Sequence, residues 1–233
     1  MSGQSRNSTE FEKKSDLILD SIRAIHAKTR HAYNLAAKKY HELFHNEMNE
    51  KAYDRELLDS FAGRFAPGAL LCDAGCGPSG HIGRYLADKG LKVIGVDISD
   101  RCVKMAADLN PGLRFRREDI SDLSFVRDVF DGIVAYYSII HTPKKHIGRI
   151  FQEFWRVLKP GGSLLVAVKA GSGEGYVREL LGLETDIYFS SFDEKEIRAY
   201  FEKARFAVDF LERRNPYDFE IRNERIFALG TKT

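Results

Sequence analysis

The stretch LLCDAGCGPSG, residues 70–80, concentrates the side chains and glycines best suited to hold a ligand. An apolar run ends at Asp73, and Gly75, Gly77 and Gly80 then turn the chain into a predicted helix. Glycine accepts positive φ and lets backbone amides approach a ligand with no Cβ in the way. The spacing Gly75-x-Gly77-x-x-Gly80, followed about 20 residues later by Asp97, suits an adenosine-bearing cofactor whose ribose hydroxyls donate to that carboxylate. A nicotinamide dinucleotide would satisfy the glycines equally well. Further along, the histidine of FDGIVAYYSIIH, His141, places a titratable imidazole shortly after an apolar run that ends in Tyr136 and Tyr137. An imidazole with its ordinary pKa of about 6.5 can take a proton from a nucleophile near neutral pH, which predicts an ascending activity limb there.

These residues need a frame, and the hydrophobic pattern supplies one. From Ala69 onward, short apolar runs alternate with amphipathic stretches. ALLCD, LKVIGVD, GLRFR, GIVAYYS and SLLVAVK are predicted strands, with helices starting near Gly80, Ser99, Ser121 and Lys145. Such alternation implies right-handed crossovers and a largely parallel sheet. A helix over 193–203 follows, for which Ser191 and Glu194 have capping-box spacing. Two more strands come near Phe206–Leu211 and Arg225–Gly230. The loop between them is too short for a helical crossover, so the last strand should run antiparallel. The expected fold is α/β, Rossmann-like, with a seven-stranded, mostly parallel sheet and helices on both faces. Residues 10–62 are predicted helical, with Tyr33, Ala36, Ala37, Tyr40, Leu43 and Phe44 at three- and four-residue spacing. We divide the chain into a helical cap, 1–65, and a cofactor-binding domain, 66–233. The aromatic stripe has only the pocket mouth to cover, so the cap should act as a lid.

Three features choose the cofactor. Asp73, directly before the glycine turn, would repel a phosphate but suits the cationic amino and sulfonium end of S-adenosylmethionine. Asp119 in REDISDL lies just past the third strand, where it can accept from an adenine amino group. RVLKPGGSLLV then adds a helix end, a Pro-Gly-Gly turn and a fifth strand. Taken together, these motifs resemble the class I methyltransferases over roughly residues 33 to 231, in particular the small-molecule branch that includes quinone-biosynthesis enzymes. The resemblance implies that Asp73, Gly75 and Gly77 contact the methionine portion of S-adenosylmethionine, with S-adenosylhomocysteine as product. It further implies that Asp97 binds the ribose, Ile98 packs on adenine, Asp119 and Ile120 meet the adenine edge, and the Tyr136 backbone meets the methionine portion. Tyr33, Ala37 and Tyr40 resemble the helix that closes over the cofactor. The chain departs from the family at Pro78-Ser79-Gly80, where the third glycine comes one place later, and at Arg205, where many members have glycine.

For the acceptor, Tyr137, His141, Tyr176 and Tyr188 are candidate substrate contacts, and His141 is the candidate base. GSGEGY, 171–176, is too glycine-rich for regular structure and is expected to be a flexible active-site loop. His41-Glu42-Leu43-Phe44-His45 satisfies the zinc-protease pattern H-E-x-x-H, but no third ligand stands in a recognisable context, so no metal is expected. Cys72, Cys76 and Cys102 make neither a disulfide framework nor a zinc ribbon. A polar start without an apolar leader, and no apolar run of about 18 residues, favour the cytoplasm and exclude a membrane span. Net charge is +2, with 36 basic against 34 acidic side chains, which argues against nucleic acid as partner. The charges of Arg114, Arg116 and Arg117 fit a solvated strand. The expected function is methyl transfer to an O, N or C atom of a small molecule. An RNA or protein methyltransferase, a non-catalytic cofactor-binding subunit and a nicotinamide dehydrogenase are the alternatives.

Overall fold

The computed structural model describes the backbone of residues 5–233 and the side chains of 22–233. Helix α1 (Ser5–Phe44) is followed by a 3-10 turn at Glu47–Asn49 and α2 (Ala52–Ala62), so the helical N-terminal region is two helices and not one. Then come β1 (Leu70–Ala74), α3 (His81–Asp88), β2 (Lys92–Asp97), α4 (Asp100–Leu109), β3 (Arg114–Arg117), β4 (Phe130–Tyr136), α5 (Lys144–Val157) and β5 (Leu158–Lys169). A hairpin of β6 (Glu174–Leu180) and β7 (Leu183–Ser190) precedes α6 (Glu194–Lys203), β8 (Phe206–Arg214) and β9 (Arg225–Lys232).

The main sheet has seven strands in the order β3-β2-β1-β4-β5-β9-β8. β9 runs antiparallel to both neighbours, and the pairs among the first five strands are parallel. The central strands are apolar because both of their faces are covered. On one side α5 lays Ile147, Ile150, Phe151, Phe154 and Val157, at helical spacing, against the sheet. On the other, Leu58 and Phe61 of α2 and Ile82 and Leu86 of α3 bury Leu71, Val93, Val134 and Leu165. β3 is one of the two edges, with β8 the other, and its arginines stay in solvent, as suits a strand with an unpaired side. Arg116 pairs with Glu118 and Arg117 with Asp100.

Three local expectations are corrected. No helix begins at Ser121. That segment stays extended because α5 bonds its backbone: Arg156 donates to the Leu123 and Phe125 carbonyls, Arg149 to the Ser121 carbonyl, and Leu123 N–H donates to Glu153. The capping box of α6 is made by Asp193 and Glu196, while Ser191 Oγ instead donates to the Gly173 carbonyl. Glu174, Gly175 and Tyr176 are not a flexible loop but the start of β6, paired with Ser190, Phe189 and Tyr188.

α1 and the hairpin form a layer outside the main sheet, joined by a small core of Ala32, Ala36, Leu180 and Ile187. Arg205 adopts φ +65° between α6 and β8, a left-handed conformation that glycine would adopt without strain.

Candidate active site

The strand order reverses between β1 and β4, and a crevice forms outside their carboxyl ends. Gly75 leaves β1 with φ +84°, and a Cβ there would collide with Ser138, which follows β4. Gly75 and Cys76 N–H both donate to the Val96 carbonyl, at 2.8 and 2.9 Å, tying the turn to β2. Asp97, at the end of β2, accepts from Gly77 N–H at 3.0 Å and from Ser99 N–H at 2.8 Å. Burial nevertheless raises its carboxyl to about 6.

Two cavities open from this crevice. The inner one, about 80 Å³, is lined by Gly75, Gly77, Asp97, Ile98, Asp119 and Ile120 below and by α1 above. The outer one, about 560 Å³, lies between α1, the 3-10 turn after it, the hairpin and the β8–β9 loop. Tyr33, Tyr40, Tyr137 and His141 line both, so these four form the partition. The inner volume holds a handful of waters and is well below the roughly 300–1,000 Å³ of small-molecule sites; the outer one falls within that range.

α1 closes the inner cavity by side-chain bonds. His26 Nδ1 meets Asp119 Oδ2 at 2.6 Å, and His26 Nε2 meets Thr142 Oγ1 at 3.2 Å. Burial works to raise the Asp119 carboxyl, but His26 and the Ser121 N–H outweigh it and hold it below the usual range. Further along α1, Tyr33 Oη lies 2.8 Å from His141 Nε2. His141 Nδ1 lies 3.0 Å from the Tyr188 carbonyl, which can only accept, so Nδ1 carries the proton and Nε2 is the basic atom, accepting from Tyr33. Burial lowers the His141 pKa to about 4, leaving a neutral imidazole at physiological pH.

The sequence-predicted residues thus converge, with three exceptions. Asp73 is 1% exposed, lies off the cavity lining, and accepts from Gly83 N–H at 2.9 Å. Its carboxylate faces the start of α3 and not the cavity, and burial pushes it up to about 7. Tyr176 and Tyr188 pack edge to face with each other outside both cavities, and the hairpin offers Leu180, Leu181 and Phe189 to the outer cavity instead. His26 and Thr29 are site residues that the sequence reading misses, although they extend the Tyr33–Tyr40 stripe at helical spacing. Ser138, Thr142 and Lys169 carry no sequence signal. The H-E-x-x-H residues are engaged elsewhere: His41 Nδ1 meets Ser79 Oγ at 3.0 Å and His45 Nδ1 donates to the His41 carbonyl. Among the described residues no group of His, Cys, Asp and Glu is arranged to hold a metal ion.

Does this crevice fit S-adenosylmethionine? Gly75 and Gly77 leave the backbone bare where a ligand would press against it, and Asp97 offers an ionisable acceptor beside apolar Ile98. Tyr136 and Ser138 belong to the same wall, and their hydroxyls are buried without a partner. A polar, adenosine-bearing group is what such a lining accommodates. The sheet order, the glycine turn at the reversal and the acidic residue closing β2 define a class I, Rossmann-like methyltransferase fold.

Comparison with known proteins agrees. Residues 71–162 match the methyltransferase domain family. A 2-methyl-6-phytyl-1,4-hydroquinone methyltransferase of Synechocystis sp. is 36% identical over 104 residues, 43% of this chain and 32% of the relative. A demethylmenaquinone methyltransferase of Renibacterium salmoninarum is 32% identical over 43% of this chain and 41% of its own length. A solved S-adenosylmethionine-dependent methyltransferase of Methanosarcina mazei superposes with TM-score 0.66 at 25% identity, over 74% of this chain and 96% of that one. Residues 71–162 therefore carry a methyltransferase domain, within a chain that has the fold of the S-adenosylmethionine-dependent methyltransferases. The matched segment spans 32% and 56% of the first two curated relatives.

Proposed function

We propose that the protein transfers a methyl group from S-adenosylmethionine to a small-molecule acceptor seated in the outer cavity, with the inner crevice as cofactor site. The observation that carries this reading is the partition: Tyr33, Tyr40, Tyr137 and His141 face both cavities, where a donor and an acceptor would meet. When bound, the cofactor supplies an electrophilic methyl group on a cationic sulfur. Asp97 would accept from ribose hydroxyls, Ile98 and Ile120 would flank the base, and Gly75, Gly77 and Tyr136 would meet the methionine portion with backbone. Asp119 would meet the adenine edge once His26 releases its carboxylate.

The chain's own chemistry centres on His141. Its Nε2 has the lone pair, its Nδ1–H is fixed by the Tyr188 carbonyl, and an acceptor hydroxyl or amine displacing Tyr33 Oη would find a base in hydrogen-bond reach. The aromatic partition aligns the reactants and excludes water, which favours a displacement that loses charge. In this reading residues 1–65 act as a cap on a cofactor-binding domain of 66–233. Because α1 fills the space above the inner crevice, the cap moves for cofactor to enter.

Small molecules are favoured over RNA by the ion pairs of Arg116 and Arg117 on β3 and by an acceptor site that is a walled cavity. No described helix is long and apolar enough to cross a membrane, and the buried, unpaired Cys72, Cys76 and Cys102 support a reducing, cytoplasmic setting. The test is incubation with methyl-labelled S-adenosylmethionine and fractionated cell extract. Label should enter the small-molecule fraction; label confined to RNA or protein would overturn the acceptor class.

A further inference from the structure

The outer cavity contains a cation that makes no ion pair with any described residue. Lys169 is the last residue of β5 and lines the cavity on the same side as His141. Its Nζ lies 5.4 Å from the centroid of the Phe189 ring, and that ring in turn packs 4.7 Å from His141. Among the described residues the Lys169 side chain makes neither a hydrogen bond nor an ion pair. Its strand partner is Arg225, a second cation. Burial first, and then the Arg225 charge, lower the Lys169 pKa.

The carboxylates that share the cavity do not compensate. Glu220 is already held by Arg214, Lys51 and Arg225, and Glu47 by Lys51 and His81. Glu179, which accepts from Gly182 N–H, stands exposed like Glu42 and Glu50, and none of the three pairs with Lys169. Phe189 packs beside Lys169, and Ile140, Leu180 and Leu181 add apolar surface to the same cavity. At the mouth Phe219 and Ile221 leave 54% and 63% of their surface in solvent, an apolar pair at the entrance. A desolvated ammonium without a counter-ion is costly unless a ligand brings the negative charge.

We infer that the outer cavity selects acceptors that combine an apolar, ring-sized body with one anionic oxygen group, a carboxylate, and that Lys169 is the residue that reads that charge. The inference rests on the outer cavity being the acceptor site. Charge at Lys169 would anchor the head beside His141, while Phe219 and Ile221 would receive whatever apolar part projects from the mouth.

The test uses a pair of probes of the same shape, 2-naphthoate and 2-naphthamide, titrated calorimetrically into the full chain with and without S-adenosylhomocysteine. The naphthoate should bind at least about tenfold more tightly than the amide. Lys169→Met should abolish that preference, Lys169→Arg should keep it, and both variants should bind S-adenosylhomocysteine like the wild type, which also shows them to be folded. Equal binding of acid and amide, binding of neither, or an acid preference that survives in Lys169→Met would overturn the inference. Failure of S-adenosylhomocysteine to bind the wild type would instead remove the methyltransferase reading, and the ligand-free titrations would still report on the charge selectivity.

Discussion

The floor and the roof of the crevice are built on different physical terms. The floor is backbone: Gly75 at φ +84°, amides tied to the Val96 carbonyl, and Asp97 gripping Gly77 and Ser99. It sits on strands whose side chains are buried on both faces, so its geometry is fixed by the core of the whole sheet. The roof, α1 with the hairpin, rests on a core of a few small and aliphatic residues and on the contacts His26–Asp119, His26–Thr142 and Tyr33–His141. A segment held by few apolar contacts opens at lower free energy than the globule unfolds. Rigid parts therefore define what is recognised, and marginal ones decide when the site is accessible.

Breaking the floor should have the largest effect. Gly75→Ala adds a Cβ in collision with Ser138 and strains a left-handed backbone, so it should destabilise the fold by about 2–6 kcal/mol and abolish S-adenosylhomocysteine binding. Chemical denaturation and calorimetry measure both, and a Gly75→Ala variant as stable as wild type would show that the floor is not rigid.

His141 stands at the seam between the regions. His141→Ala should lower turnover by about 10²–10⁴ while cofactor affinity stays nearly constant. Because burial lowers its pKa to about 4, His141 stays neutral above that pH, and its ascending limb in the pH–rate profile should fall near 4, not in the neutral range expected for a solvated imidazole. A limb near neutrality that disappears in His141→Ala would mean that the imidazole works in water, with the roof open.

Asp97→Ala should weaken S-adenosylhomocysteine binding by about 1–3 kcal/mol. In the wild type, the carboxyl takes up a proton as pH falls through about 6 and then no longer accepts as an ion, so affinity should decline below that pH. Affinity that stays flat from about pH 5 to about pH 8 would place the ribose elsewhere.

The smallest effect belongs to the roof. His26→Ala should cost only about 1 kcal/mol of stability, yet amide exchange over residues 22–44 should accelerate, with the sheet unaffected. In the wild type, S-adenosylhomocysteine should slow exchange across 30–48. Uniform exchange in both regions would collapse the distinction between floor and roof.

The floor was legible in the sequence because glycines and strand-ending acids constrain backbone, and backbone constraints are local. The direction of Asp73 was not, since strand alternation turned its carboxylate toward Gly83 N–H while charge arguments considered only its position along the chain. The hairpin is hidden for a different reason. Between Val177 and Glu179 the register shifts, and β6 leaves most of its side chains in solvent, so no alternation of period two marks it. The missing helix after Ser121 is an effect at a distance: Arg149, Glu153 and Arg156, far along the chain, satisfy the backbone that a helix would have satisfied for itself. Lys169 looks like the polar end of a strand, and only the fold shows that its neighbours in space leave it without an acid.

The unpartnered hydroxyls of Tyr136, Tyr137 and Ser138 set a limit on improving this protein. Each is desolvated with no hydrogen-bond partner, so removing one relieves about 1–3 kcal/mol of frustration in the free state. A selection for heat resistance, blind to ligand, would therefore enrich Tyr136→Phe and Tyr137→Phe. The survivors would be sturdier molecules with a greasier interior, and any loss of ligand affinity would pass such a selection unseen.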